Sequence, residues 1–158
     1  QRKARAWAPA GTLAVRRRRW WAGGMSGSSA MMEPLWGLVL AGFLAHNIAD
    51  LLPIFWAVDV AVEHAEEAPV GMMAFMAIIT YTLPAVGIAT TMYGRGRGAA
   101  LVNLILAAVM ALFNVLHDGG ELIMAFNPVQ VFVLPFVLCF SILLAVESFK
   151  WYKEMGAE

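Results

Sequence analysis

The chain has 158 residues, of which 61% are hydrophobic and 14% charged, and its mean hydropathy is +0.70. A soluble domain carries about 25% charged and about 45–50% apolar residues, so the composition excludes an ordinary soluble globular domain. Eleven basic and eleven acidic residues give a formal net charge of zero, which offers no electrostatic reason to expect a nucleic-acid partner.

Residues 1–32 mix Arg, Gly, Ser, Ala and Trp without apolar periodicity. They are expected to form a disordered, basic N-terminal arm lying upstream of a native start at Met25, Met31 or Met32. Residues 1–33 hold seven basic groups and one acidic group, whereas residues 34–158 hold four basic and ten acidic. Neutrality is therefore a sum over two opposed segments. A single cysteine, Cys139, excludes an intrachain disulfide and reads as a small buried hydrophobe.

A helix needs about 17–25 apolar residues to cross the hydrocarbon core of a bilayer. Residues 33–158 contain four such stretches, at about 34–58, 70–93, 99–126 and 129–149. The first connection carries Asp59, Glu63, His64, Glu66 and Glu67, the second Arg95 and Arg97, and the third, around Asn127 and Pro128, no basic residue. Lys150 and Lys153 follow the fourth stretch. All basic groups thus fall on the arm, the second connection and the C-terminal tail, a bias that predicts both termini in the cytoplasm.

The expected fold is an all-α integral membrane protein of the cell membrane, with four transmembrane helices arranged as two repeated helical hairpins. Its partners would be the lipid bilayer and a second copy or another membrane chain. Trp36, Trp56, Tyr93 and Trp151 lie near the span ends, where amphipathic rings favour the membrane interface.

The repeat rests on two segments. His46-Asn47-Ile48-Ala49-Asp50-Leu51-Leu52-Pro53-Ile54-Phe55 and His117-Asp118-Gly119-Gly120-Glu121-Leu122-Ile123-Met124-Ala125-Phe126 share one pattern, and each is followed in the next span by Leu-Pro, at Leu83-Pro84 and Leu134-Pro135. The first segment resembles the His-x-x-Glu-Glu stretch of a family of small bacterial membrane proteins over this one short motif. Ala49 departs from it, and no assignment follows.

An ionisable residue in a span costs about 2.5–3.5 kcal/mol on insertion scales, which makes such residues functional candidates. Residues i and i+4 of a helix share a face, so His46 pairs with Asp50 and His117 with Glu121. Asn103, Asn114, His117 and Glu121 fall within an arc of about 60° at about 100° per residue, and Asp118 lies at its edge. Two imidazoles and two carboxylates have the donor composition of a divalent-metal site.

His46, Asp50, His117 and Glu121 are the expected metal ligands, with Asn47, Asn114, Asn103 and Asp118 as surrounding hydrogen-bonding or relay groups. Gly119 and Gly120 are expected to unwind the outer end of span three and turn Asp118 or Glu121 toward water.

Binding or passage of a cation, a divalent metal or protons, is the leading functional expectation. An alternative is a membrane-embedded enzyme with a His/carboxylate acid–base pair acting on a lipid-like substrate; another is an accessory subunit whose polar groups meet a partner. The bland alternative is that the two pairs only fix helix packing. Two histidines would serve only one haem, and no CxxCH motif is present. Glu147, near the end of span four, is expected either to reach toward water or to pair with Lys150, three residues on and on the same helix face.

Overall fold

The computed structural model describes residues 27–59, 69–124 and 128–157. The segment 1–26 and the acidic stretch containing Glu63, His64, Glu66 and Glu67 lie outside the described residues.

The described chain is helical and contains no strand. Helix α1 covers Gly27–Leu51 and runs into a 3₁₀ turn at Leu52–Trp56. Helix α2 (Val70–Ala77) continues through a π-helical turn at Ile78–Thr82 into α3 (Leu83–Tyr93). Helix α4 covers Gly96–Met124. A 3₁₀ turn at Gln130–Phe132 leads into α5, Leu134–Glu154. Four helical stretches, of 28, 24, 29 and 25 residues, are long and apolar enough to cross a membrane.

Proline decides where these stretches bend. Pro53 opens the tight turn that closes the first stretch, and Ala57 follows in the left-handed conformation at φ 57°. Pro84 has no N–H to give the Thr80 carbonyl, so the preceding turn widens and the Leu83 N–H reaches back five residues to the Ile78 carbonyl. Pro135 instead sits at the start of α5, where a missing N–H costs nothing. The two Leu-Pro pairs thus occupy different local settings. Between α3 and α4 the chain turns sharply at Gly94–Gly96, and Gly96 takes a φ of +68° that a side chain would strain.

The helices differ from the sequence reading in several places: the third stretch begins at Gly96 and the fourth runs on to Glu154, past the expected end near 149. Helix α1 starts at Gly27, so residues 27–32 are helical and Pro34 lies inside the helix. Packing carries the helix across the proline, because Met32, Leu35 and Trp36 are all buried against the other stretches. Helix α4 runs uninterrupted through Gly119 and Gly120, which leaves Asp118 buried at 1% exposure instead of turned to water.

The stretches pack in cyclic order. The first lies beside the second and fourth, the third beside the second and fourth, and the first and third face each other across the diagonal. Between them Trp36, Val39, Phe43, Ile79, Ala107, Met110, Val137 and Leu144 form a continuous apolar core. Leu44, Ile48, Leu112, Leu116, Phe136 and Ile142 point outward, which gives the bundle an apolar outer surface. Cys139 belongs to that exposed surface, a correction to its expected burial.

The end of the bundle that holds Tyr93–Gly96 and Glu154 is fastened by polar contacts. Arg97 donates to the Tyr152 hydroxyl at 2.9 Å and lies 4.9 Å from the centre of its ring. Glu147 and Lys150 pair at 2.6 Å, as their spacing implied. Trp36 is fully buried, so it is a core residue and not an interfacial ring.

The Trp36 indole packs against bare backbone at Gly87. A Cβ there would stand 2.2 Å from the ring. Gly87→Ala is therefore expected to lower stability by about 1–3 kcal/mol or more by overpacking, seen as a lower unfolding temperature in detergent. An unchanged temperature would show that the ring is not seated there.

Candidate metal centre

Helical spacing puts the first pair together. His46 and Asp50, one turn apart on α1, bring Nε2 and Oδ2 to 3.6 Å. On α4, His117 Nε2 lies 3.7 Å from Glu121 Oε1 by the same geometry. The link between the pairs is tertiary: His46 Nε2 reaches Glu121 Oε2 at 3.8 Å across the bundle diagonal. The two imidazoles meet edge to face, with centroids 5.7 Å apart.

One ligand atom each from His46, His117 and Glu121 falls within a mutual separation of 4.8 Å. Donors of a tetrahedral ion with bonds of about 2.0–2.2 Å are about 3.4 Å apart. Side-chain rotations of a fraction of an ångström to about one ångström would bring the three donors to that spacing. Asp50 stands just outside this group, close to His46 alone. Its Oδ1 accepts a hydrogen bond from Gln130 Nε2, which also donates to the His46 carbonyl at 3.3 Å.

The surroundings are polar and incompletely satisfied. His46 Nδ1, His117 Nε2, Asp118 Oδ2, Gln130 Oε1 and both polar atoms of the Asn114 carboxamide are buried without a hydrogen-bond partner in the protein. Such groups cost about 1–3 kcal/mol each when nothing else meets them, so the arrangement calls for a ligand or ordered water. Asp118 is within electrostatic reach of His46 and Glu121. Phe113, one turn before His117, stacks on its ring at 5.1 Å and is in turn flanked by Phe43 at 6.4 Å and Phe75 at 6.2 Å. This aromatic wall limits how far the imidazole can swing.

The eight residues singled out in the sequence separate into three places. His46, His117 and Glu121 converge, with Asp50 and Asp118 beside them and Asn114 one turn further in. Asn47 is exposed on the outer surface of α1. Asn103 is remote: it precedes Asn114 by eleven residues, about 16 Å of helix.

All the groups of Asn103 are used elsewhere. Its Oδ1 accepts from Trp36 Nε1 at 3.1 Å and from the Ser148 hydroxyl at 3.4 Å. Its Nδ2 donates to the Gly87 carbonyl at 3.1 Å and the Thr91 hydroxyl at 2.9 Å. The bonds of Asn103 tie all four helical stretches together.

Gln130 and Phe113 escaped the sequence reading. Gln130 carried one usable signal, as a lone polar side chain at the head of an otherwise apolar span. Phe113 carried none beyond its spacing of four from His117. Gln130→Leu removes the donor that fixes Asp50 and the His46 carbonyl. It is expected to weaken metal binding about 10–100-fold, the usual effect of losing an outer hydrogen bond to a metal site; unchanged affinity in a Zn²⁺ titration would show that Gln130 plays no part.

Comparison with known proteins finds no matching protein family, no similar curated protein and no similar solved structure.

Proposed function

We propose that the chain is a four-span integral membrane protein that binds a divalent transition-metal cation between its first and third helices. The convergence of His46, His117 and Glu121 from opposite sides of the bundle carries this reading. In it, the exposed apolar surface is covered by lipid, and the two His-x-x-x-carboxylate segments supply the three ligands His46, His117 and Glu121, with Asp50 beside them. The bias of basic residues places both termini in the cytoplasm of a cell-membrane protein.

The donor set also indicates which cations fit. Imidazole nitrogens with carboxylate oxygens suit Zn²⁺, Co²⁺ or Ni²⁺, whereas Mg²⁺ and Ca²⁺ take oxygen donors. Purified protein in detergent micelles is expected to bind one Zn²⁺ or Co²⁺, with Mg²⁺ and Ca²⁺ failing to compete at a hundredfold excess. Displacement of Co²⁺ by Mg²⁺ at equal concentration, or no stoichiometric metal at all, would contradict the assignment.

The competing idea that the ionisable groups merely fix packing accounts less well for the site. A packing role would satisfy the polar atoms, as it does at Asn103, whereas here six buried atoms have no hydrogen-bond partner in the protein. Interhelical hydrogen bonds in membranes average about 0.6 kcal/mol, a small return for two imidazoles and two carboxylates.

A further inference from the structure

Exposure falls steadily along the polar groups of the site. The Asp50 side chain is 49% exposed, Glu121 31% and His117 27%, while His46 retains 6%. Asn114, on the inward side, retains 0%, and Asp118, between His117 and Glu121 on α4 but turned into the bundle, retains 1%. The group is thus open at the end of the bundle where Gln130 and the Leu52–Trp56 turn lie, and closed behind.

What closes it is apolar. One turn inward from Asn114 stands Met110, followed by Ala107, and level with them on α1 are Phe43 and Val39; α5 contributes Val137 and Leu144, and all six are at most 2% exposed. Ser141 is the buried hydroxyl in this layer, and it is turned onto its own helix, donating to the Leu138 carbonyl at 2.8 Å. Beyond the layer, Trp36 and Asn103 seal the opposite end with the four hydrogen bonds described above. His46 and Trp36 are ten residues apart, so the layer is about 15 Å deep. Carrying an ion through that thickness of hydrocarbon, with nothing to replace its water, costs tens of kcal/mol in the Born limit.

From this we infer that the site is a blind receptacle: a divalent cation enters past Asp50 and Gln130, is held by His46, His117 and Glu121 above Asn114, and leaves by the same mouth. The inference rests on the metal-binding reading and decides between holding a cation and passing it. A receptacle suits a protein that senses or stores the ion on one side of the membrane. The Asn114 carboxamide forms its floor and Asp118 Oδ2 part of its inner wall, where they meet the waters of the incoming ion.

The test uses full-length protein reconstituted into liposomes and loaded with radioactive Zn²⁺. The fraction of molecules facing each way is measured separately by protease access to the terminal segments. After loading before reconstitution, a membrane-impermeant chelator is added outside. A blind receptacle releases only the Zn²⁺ of molecules whose mouth faces outward, and the remainder appears once detergent is added. In parallel, a metal-sensitive dye trapped inside should record Zn²⁺ entry no faster than in protein-free vesicles.

Stripping beyond the measured mouth-outward fraction before detergent, or entry above the protein-free rate that His46→Ala abolishes, would overturn the receptacle while leaving metal binding intact. Failure to retain any Zn²⁺ at loading would instead remove the binding reading on which it rests.

Discussion

His46→Ala is expected to weaken Zn²⁺ binding by more than about 100-fold, exceeding the 10–100-fold typical of an outer-shell change. His46 is the hinge of the arrangement, since Nε2 alone lies near both carboxylates, at 3.6 Å from Asp50 and 3.8 Å from Glu121. Removing it leaves the donors of α4, His117 and Glu121, which one helix turn holds together, with only Asp50, outside the three-donor group, across the bundle. A titration followed by Co²⁺ absorption reads the loss directly. Asn47→Ala, one residue away on the exposed surface, serves as the matched control and should bind as tightly as the unaltered protein. Equal affinity of His46→Ala and the unaltered protein would remove His46 from the site.

The second large effect concerns stability, not binding. Asn103→Leu keeps the approximate volume but deletes every partner of a node on which Trp36, Gly87, Thr91 and Ser148 converge. Trp36 Nε1 would then be left without a partner in a buried setting, whereas the Gly87 carbonyl keeps the Thr91 hydroxyl at 2.9 Å. At about 1–3 kcal/mol for the stranded indole N–H, a loss of that size is expected in detergent unfolding. Zn²⁺ affinity, measured below the unfolding transition, should stay within a few fold, because the node is about 16 Å or more from the ligands. A large loss of affinity at unchanged stability would reverse the division between the two polar clusters.

That division was the part least legible in the sequence. The length of the apolar runs located four helices, and helical periodicity placed His46 with Asp50 and His117 with Glu121, because one helix turn fixes those distances without any tertiary information. The same periodicity put Asn103 and Asn114 on one face of α4 and so grouped them. Shared face is not shared place: eleven residues of rise separate a satisfied packing node from an unsatisfied site wall. Trp36 misled in a related way, since an aromatic near a span end suits the interface, yet the small surface at Gly87 and the acceptor of Asn103 draw it into the core.

Glycine and proline signals were also ambiguous when read singly. Gly119-Gly120 permits unwinding, but α4 stays helical there, and Asp118 is buried as a result. Pro34 suits a helix start, yet α1 extends seven residues before it because Met32 packs under the Ser148 hydroxyl. Gln130 became visible only when α5 was docked against α1, a contact eighty-four residues apart in sequence.

The most direct test of the metal centre is the X-ray absorption spectrum of Zn²⁺-loaded protein, which counts the imidazole ligands of the bound ion. The account predicts two imidazoles and at least one oxygen donor at about 2.0–2.2 Å, with the imidazole count falling to one in His117→Ala. A spectrum with only oxygen neighbours, or one unchanged by His117→Ala, would contradict it.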